Sequence, residues 1–168
     1  MNTSKNRAFF FLLITIFSNS HSFISIHGGS TSFCHKIEKQ SLLTMKQSLK
    51  ITNHTLSSWN TTNSNCRAWN GVVCSNLTVH VHRLHLRSQS LHGKLNLSTL
   101  LDLKHLTYLD LCQNSFQGSI PSSIASLKNL EYLNLSNAGF HGKIPPTIGN
   151  LSSQRTLVLE GSLLFPLK

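Results

Sequence analysis

The sequence repeats itself every 24 residues over its second half. Leu109 returns as Leu133 and as Leu157, and Gly118 returns as Gly142. A fixed period of this length is typical of a solenoid, in which each unit buries its apolar side chains against the next unit. The period therefore constrains the architecture more than any other property of the chain, and it moves the question of function to one exposed surface.

The repeating unit approximates the spacing L-x-x-L-x-L-x-x-N-x-L, which is typical of the leucine-rich repeat. In one unit the template is filled, in order, by Leu106, Leu109, Leu111, Asn114 and Phe116. Leucines two residues apart point to the same side of a strand, so we expect them to face a shared core. The short amide of Asn114 is expected to bond main-chain groups where the chain turns away from the strand.

The repeats become irregular toward both ends. An earlier unit begins at Leu84, offset by 25 residues from the next, and the fourth unit lacks its glycine. About three and a half units are present, close to the minimum of about three for stability. The sequence predicts three regions: a signal peptide at 1–22, an N-terminal cap at 23–78, and leucine-rich repeats at 79–168 with the last one incomplete.

The first residues have the pattern of a secretory signal. Lys5 and Arg7 precede an apolar run over 8–17 and then small polar residues. The alternative is a membrane anchor, but the run is about half the ~20 residues that span a bilayer. We predict a secreted glycoprotein of the cell wall or the outer face of the plasma membrane. Six N-x-S/T sequons agree with this route: Asn53, Asn60, Asn76, Asn96, Asn134 and Asn150.

The chain carries four cysteines and a strong positive charge. Cys34, Cys66 and Cys74 precede the repeats, and Cys112 lies inside one. In an oxidising compartment the first three suggest a disulfide-stapled cap with one unmatched thiol. The formal net charge of +10 favours acidic partners such as cell-wall polysaccharide. Nucleic acid is disfavoured, because the chain has no Lys/Arg run and no nucleic-acid motif.

The pattern of the segment before the repeats predicts an apolar cap. The pattern over residues 34–50 predicts an amphipathic helix whose lysines face outward. Its inner side is formed by apolar residues near helical spacing, which are Ile37, Leu42, Met45 and Leu49. Two tryptophans follow, Trp59 and Trp69. They are expected to form the core of a cap over the first repeat.

The cap and the repeats together resemble the start of the ectodomain in plant leucine-rich repeat receptor-like proteins. The resemblance rests on LSSW at 56–59, WNGVVC at 69–74, LTYLDLCQNSFQGSIP at 106–121 and LEYLNLSNAGFHGKIP at 130–145. It implies an α/β fold: a right-handed plant-type solenoid with a helical cap. It also implies a Cys34–Cys66 disulfide. Arg67 stands where the family has a further cysteine, so Cys74 would lack its partner and, like Cys112, stay free.

The resemblance implies a function in non-covalent ligand recognition, in defence or developmental signalling, without enzymatic activity. Two alternatives stay open. One is a wall protein similar to plant polygalacturonase inhibitors, which have about ten repeats. The other is a truncated, inactive receptor fragment, since further repeats, a C-terminal cap and a membrane helix are missing from the sequence. Further repeats and a membrane helix would restore the receptor.

The residues beside the strand leucines predict the ligand-binding surface, because in the repeat consensus they project from the concave face. Aromatic and arginine side chains are common binding anchors. Expected partners are a protein, a peptide or an acidic cell-wall polysaccharide. A co-receptor or a second copy is a further candidate, at the open C-terminal repeat around Leu157 and Leu159. The predicted ligand-binding residues are Arg83, His85, Arg87, Tyr108, Asp110, Gln113 and Tyr132.

Other chemistry is not expected from this sequence. His80 and His82 lie on the opposite side of an extended chain from His85, so they do not converge on a metal. Glycosidase chemistry needs facing carboxylates, but the equivalent of Asp110 in the next unit is an asparagine. Cys112 is predicted to be an exposed thiol without a neighbouring base, rather than a nucleophile. We therefore expect no metal, no cofactor and no catalytic residue.

Overall fold

The cap begins with a helix that is shorter than the sequence predicts. The computed structural model describes residues 34–52, 54–62 and 65–161, and the backbone of 163–165. Helix α1 spans Lys36–Gln47, inside the predicted 34–50. The predicted signal peptide at 1–22 and the sequon at Asn53 lie outside the described residues.

The buried side of α1 differs from the prediction at one position. Leu42 and Met45 are fully buried, as expected, but the placement of Ile37 is wrong, because 56% of its surface is exposed. The inward-facing position is taken by the next residue, Glu38, which is 2% exposed. Glu38, Leu42 and Met45 follow helical spacing, so the buried stripe contains a carboxylate that must be paired.

The two tryptophans form the centre of the cap, as predicted. Trp59 and Trp69 are 0% and 2% exposed, and their rings stack with centroids 5.6 Å apart. The indole Nε1 of Trp59 donates a 2.8 Å hydrogen bond to the carbonyl of Asn70. Burying two aromatic rings of this size excludes a large apolar area from water, which stabilises the cap against the first repeat.

One five-stranded sheet runs through the cap and all the repeats. Its five strands lie side by side in chain order, with the first pair antiparallel and every later pair parallel. The register pairs Leu84 with Leu109, Leu109 with Leu133, and Leu133 with Leu157, which confirms the repeat spacing. The strands are β2 (Val72–Cys74), β3 (Val81–His85), β5 (Tyr108–Asp110), β7 (Tyr132–Asn134) and β9 (Thr156–Val158).

Shorter strands and 3-10 helices complete each unit. β1 (Lys50–Ile51) pairs antiparallel with β4 (Leu91–Gly93), which pairs parallel with β6 (Ser115–Phe116). β8 (His141–Lys143) pairs parallel with β10 (Leu163–Phe165). Short 3-10 helices, rather than α-helices, close the repeats at Leu97–Asp102, Ser122–Ser126 and Pro146–Asn150. Two more lie in the cap, at His54–Leu56 and Cys66–Ala68.

Asn114 bonds the main chain of two units, as predicted. Its Oδ1 accepts from the amides of Gln89 and Leu91 at 3.2 and 3.0 Å. Its Nδ2 donates to the carbonyls of Leu86 and Leu111, both at 2.8 Å, and to Cys112 at 3.2 Å. The side chain is 7% exposed, so these bonds replace water for backbone groups at the turn.

The apolar core becomes less covered in the last repeat. Leu109 and Leu133 are fully buried, whereas Leu157, in the same register, is 38% exposed. In the part of the chain that the structure describes, we find no helix of the length and apolar character that crossing a membrane requires.

Candidate functional site

Six of the seven predicted ligand-binding residues form a continuous surface on the five-stranded sheet. We call this surface the concave strip, and it consists of Arg83, His85, Arg87, Tyr108, Gln113 and Tyr132. The two tyrosines are half-buried, and the other four members are exposed. The parallel register places them side by side, since Arg83 lies opposite Tyr108 and Tyr108 lies opposite Tyr132.

The aromatic rings of the strip stack on one another. Tyr108 and Tyr132 are 4.3 Å apart and nearly parallel, with an angle of 4° between their planes. His85 lies 4.5 Å from the Tyr108 ring, and the guanidinium of Arg83 lies 5.4 Å from its centroid. Neighbouring side chains therefore occupy the faces of Tyr108, which leaves ring edges and hydroxyls for a ligand.

Gln113 connects the basic end of the strip to the next unit. Its Oε1 accepts from Ser88 Oγ at 2.5 Å and from Arg87 Nε at 3.3 Å. Gln113 and Ser88 occupy equivalent turn positions, and both have a left-handed backbone with φ near +54°. The hydrogen bond orients the Arg87 guanidinium while leaving the side chain exposed, so Arg87 keeps donors for an acidic ligand.

Asp110 does not share this exposed surface, although the sequence places it there. It is 5% exposed, its Oδ1 accepts from the amide of Cys112 at 3.1 Å, and Tyr108 Oη lies 3.5 Å from its Oδ2. Asn134, its equivalent in the next unit, accepts from the amide of Ser136 at 3.0 Å. Both side chains act as local turn-forming groups. The carboxylate of Asp110 is thus already engaged within the protein.

The buried position of Asn134 also bears on glycosylation. Its Nδ2, the atom to which a glycan would be attached, donates to Tyr132 Oη at 3.3 Å, and the residue is 6% exposed. Asn76, Asn96 and Asn150 are exposed, and Asn60 is half-buried. Glycosylation of all six sequons stays a prediction, and these positions rank the exposed asparagines ahead of Asn134 as acceptors.

The prediction that Cys112 is exposed is wrong, because its side chain is 2% exposed. Burial and a hydrogen bond to Asp110 raise the pKa of the Cys112 thiol to about 11. The pKa of Tyr108 is raised to about 12 by burial, by the charge of Asp110 and by the neighbouring Tyr132. Both groups are protonated at neutral pH, so the Tyr108 hydroxyl can donate to Asp110, and Cys112 is a poor nucleophile.

We expect Cys112 to react with iodoacetamide roughly 100-fold more slowly in the folded protein than in guanidinium chloride near pH 8. Only the thiolate reacts, and each pKa unit changes its population about tenfold. Tryptic mapping of the alkylated peptide measures the rate at this residue alone. Equal rates in the folded and unfolded protein would show that the thiol is accessible and unperturbed.

Sequence reasoning missed a buried carboxylate with its histidine partner. Glu38 accepts from the amide of Val81 at 2.9 Å, and its other oxygen lies 3.0 Å from His80 Nδ1. The His80 ring stacks on His105 at 4.1 Å and lies 5.2 Å from His35. These contacts join the cap helix to the first repeat. No motif spans the 42 positions between Glu38 and His80, so only the fold reveals the pair.

The cysteines follow the predicted connectivity. Cys34 and Cys66 form a disulfide, and Cys74 and Cys112 are free thiols among the described residues. Arg67 donates to the carbonyl of Ser75 and, at 3.2 Å, to Asn76 Oδ1. These contacts hold the segment after Cys66 against the residues that follow Cys74.

Comparisons with known proteins match the cap and the repeats separately. A family model described as a leucine rich repeat N-terminal domain matches residues 35–75. Two models described as leucine rich repeats match residues 79–139 and 129–151.

Comparisons of sequence and of structure both find similarity to plant receptor proteins and their ectodomains. The chain is 34% identical over 135 residues to Receptor-like protein 32 of Arabidopsis thaliana, covering 73% of this chain and 15% of that protein. It is similar to the BIR2 ectodomain of Arabidopsis thaliana, with 33% identity, a TM-score of 0.71, and coverage of 76% and 68% of the two chains. It is also similar to a chain in the Arabidopsis thaliana BIR3–SERK2 complex, with 32% identity, a TM-score of 0.68, and coverage of 74% and 68%.

The chain spans only a small part of the full-length relatives. It covers 15%, 10% and 11% of three Arabidopsis thaliana proteins that it matches. The solved ectodomains are shorter, and the chain covers about two thirds of BIR2.

Proposed function

The chain belongs to the leucine-rich repeat family of plant receptor ectodomains, and we propose that it recognises an extracellular protein or peptide partner through the concave strip. The recognition is non-covalent and serves signalling in defence or development. We further propose that the chain enters the secretory route and acts in the cell wall or at the outer face of the plasma membrane. The complex of BIR3 with SERK2 supports a protein partner, because one chain of that complex is similar to this chain.

The observation that carries this proposal is a cationic edge of the concave strip whose adjoining aspartate, Asp110, is buried. Arg83, His85 and Arg87 are exposed on one edge of the strip. Asp110, which lies opposite His85 in the sheet, has a buried carboxylate that accepts from the Cys112 amide and lies 3.5 Å from Tyr108 Oη. Arginine binds carboxylates with paired hydrogen bonds, so the strip is suited to an acidic segment of a partner.

Acidic polysaccharide is a second candidate, favoured by the same cationic edge. Sugars commonly need an open aromatic face, but the faces of Tyr108 are covered by Tyr132, His85 and Arg83. The exposed donors are instead the guanidinium groups of Arg83 and Arg87, which suit the carboxylates and carbonyls of an extended peptide. For this reason we rank a peptide segment ahead of a wall polymer.

Replacing both Arg83 and Arg87 with alanine is expected to weaken binding of an acidic peptide at least tenfold. The probe is a synthetic hexaglutamate peptide, measured by calorimetry at low salt, where charged contacts are screened least. The matched control replaces Lys94 and Lys143, two exposed lysines outside the strip, and removes the same charge. We expect the control to change the affinity less than twofold.

A parallel titration with a hexameric oligogalacturonate separates the two candidates. Preference for the peptide supports the proposal, whereas tighter binding of the sugar that also depends on Arg83 and Arg87 would replace it with polysaccharide recognition. Equal losses in the strip and control variants would mean that only the net charge matters, and would remove the strip from the proposal.

A further inference from the structure

The cap contains a third sulfur atom beside its disulfide. The Sγ atoms of Cys34, Cys66 and Cys74 lie within 4.8 Å of one another, and Cys74 Sγ is 3.8 Å from Cys34 Sγ. The three residues are 7%, 0% and 9% exposed. A free thiol and a disulfide are thus enclosed together, with a short path between the sulfur atoms.

Three separate elements bring these sulfur atoms together. Cys34 lies just before α1, Cys66 begins the 3-10 helix Cys66–Ala68, and Cys74 ends β2. The hydrogen bonds of Arg67 to Ser75 and Asn76 hold the 3-10 helix next to the end of β2. The cluster is therefore a product of the folded cap, because its outer members are 40 positions apart.

We propose that Cys34, Cys66 and Cys74 form a thiol–disulfide exchange site, in which Cys34 has two alternative partners. The Cys74 thiolate attacks Cys34 Sγ, a Cys34–Cys74 bond forms, and the Cys34–Cys66 bond breaks. The electron pair of the broken bond leaves on Cys66 Sγ, which takes up a proton. One disulfide and one thiol are present before and after the step, so it requires neither an oxidant nor a reductant.

The surroundings of Cys74 set the pH dependence of this step. Burial raises the pKa of the Cys74 thiol, the charge of Arg67 acts in the opposite direction, and the charge of Glu38 raises the pKa slightly further. Exchange depends on the thiolate, so it is slow in acid and accelerates as the pH rises. Lowering the pH therefore stops the exchange and preserves both disulfide isomers for analysis.

Exchange would change which part of the cap is held. In the Cys34–Cys66 isomer the disulfide ties α1 to the 3-10 helix Cys66–Ala68. In the Cys34–Cys74 isomer it ties α1 directly to the five-stranded sheet, and the 3-10 helix is held by the Arg67 hydrogen bonds without a disulfide. The separation of the bonded residues changes from 32 to 40 positions, so the entropy of loop closure is nearly unchanged. The two isomers therefore differ mainly in local contacts.

The first test uses the unaltered chain. Secreted protein is incubated near pH 8.5 without added thiol, quenched in acid at intervals, and digested for mapping of disulfide peptides. We expect a Cys34–Cys74 peptide to appear over time, with a matching gain of Cys66 thiol, and to form at least tenfold more slowly near pH 6. Detection of only the Cys34–Cys66 peptide at every time and pH would overturn the proposal.

The second test asks whether Cys74 can replace Cys66. The Cys66→Ser variant is expected to carry a Cys34–Cys74 disulfide after equilibration with a glutathione redox buffer, leaving Cys112 as its free thiol. The matched variant with both Cys66→Ser and Cys74→Ser should show Cys34 as an alkylatable thiol. A folded Cys66→Ser protein in which Cys34 and Cys74 both alkylate would contradict the proposal. If the variant does not fold, the mapping of the unaltered chain decides alone.

Discussion

Asn114→Ala is expected to lower the free energy of unfolding by about 3–4 kcal/mol, because a buried donor or acceptor that loses its partner costs about 1–3 kcal/mol. The amide side chain bonds five main-chain groups, which belong to two successive units. Cys112 keeps a second partner, since its carbonyl also accepts from the amide of Ser88 at 3.0 Å. The other four groups lose the partner that Asn114 supplies. Urea unfolding followed by circular dichroism measures the change.

Asn129→Ala is the matched control, since it removes the same atoms from an exposed position. Asn129 makes one side-chain hydrogen bond, from Nδ2 to the carbonyl of Lys104 at 2.7 Å. Water can replace that bond, so we expect a loss below about 1 kcal/mol. Similar losses for the two variants would mean that solvent also satisfies the backbone groups around Asn114, and that its hydrogen bonds contribute little to the turn.

The repeating contacts of this fold could be predicted because the period itself encodes them. A residue in one unit contacts its equivalent in the next, so the spacing from Leu109 to Leu133 and Leu157 determines the register. The role of Asn114 follows from the same template. Within the repeats, sequence reasoning therefore predicted both the core and the hydrogen bonds at the turn.

The concave strip could be predicted only in part. The period places Asp110 and Cys112 beside the strand, but it does not determine how far their neighbours cover them. Tyr108 approaches Asp110, and the Asp110 carboxylate bonds the Cys112 amide, so both residues are buried. Burial at such positions depends on the size and orientation of particular side chains, which a hydrophobic pattern does not report.

The contacts of the cap could not be predicted, because they do not repeat. The pairing of Glu38 with His80 and the approach of Cys74 to Cys34 join residues about 40 positions apart, across elements that occur once. The sequence pattern misplaces Ile37 in the core for a related reason. Helical spacing alone fits two neighbouring stripes, and only the hydrogen bonds of Glu38 to Val81 and His80 select the observed one.

Gly139→Ala is expected to lower the free energy of unfolding by about 3 kcal/mol or more. Gly139 has φ of +86°, and a Cβ atom there would lie 2.6 Å from the carbonyl oxygen of Phe116 and 2.9 Å from its amide nitrogen. A left-handed conformation costs an L-residue about 1–2 kcal/mol, and relieving the clash adds about 1–3 kcal/mol. Relief must move Phe116 in β6, whose amide donates to the carbonyl of Ala138 at 2.8 Å. Thermal and urea unfolding measure the loss.

Gly118→Ala separates the clash from the backbone strain. Gly118 has φ of +92°, but nothing lies within 4 Å of the position where its Cβ would stand. Alanine at this position therefore meets only the conformational cost of about 1–2 kcal/mol. The difference between the two variants isolates the close approach of Gly139 to β6, where Phe116 and Phe140 stack at 5.5 Å. Equal decreases in the free energy of unfolding would show that β6 moves away from the added Cβ without an energetic penalty. The contact between these units would then be looser than its geometry indicates.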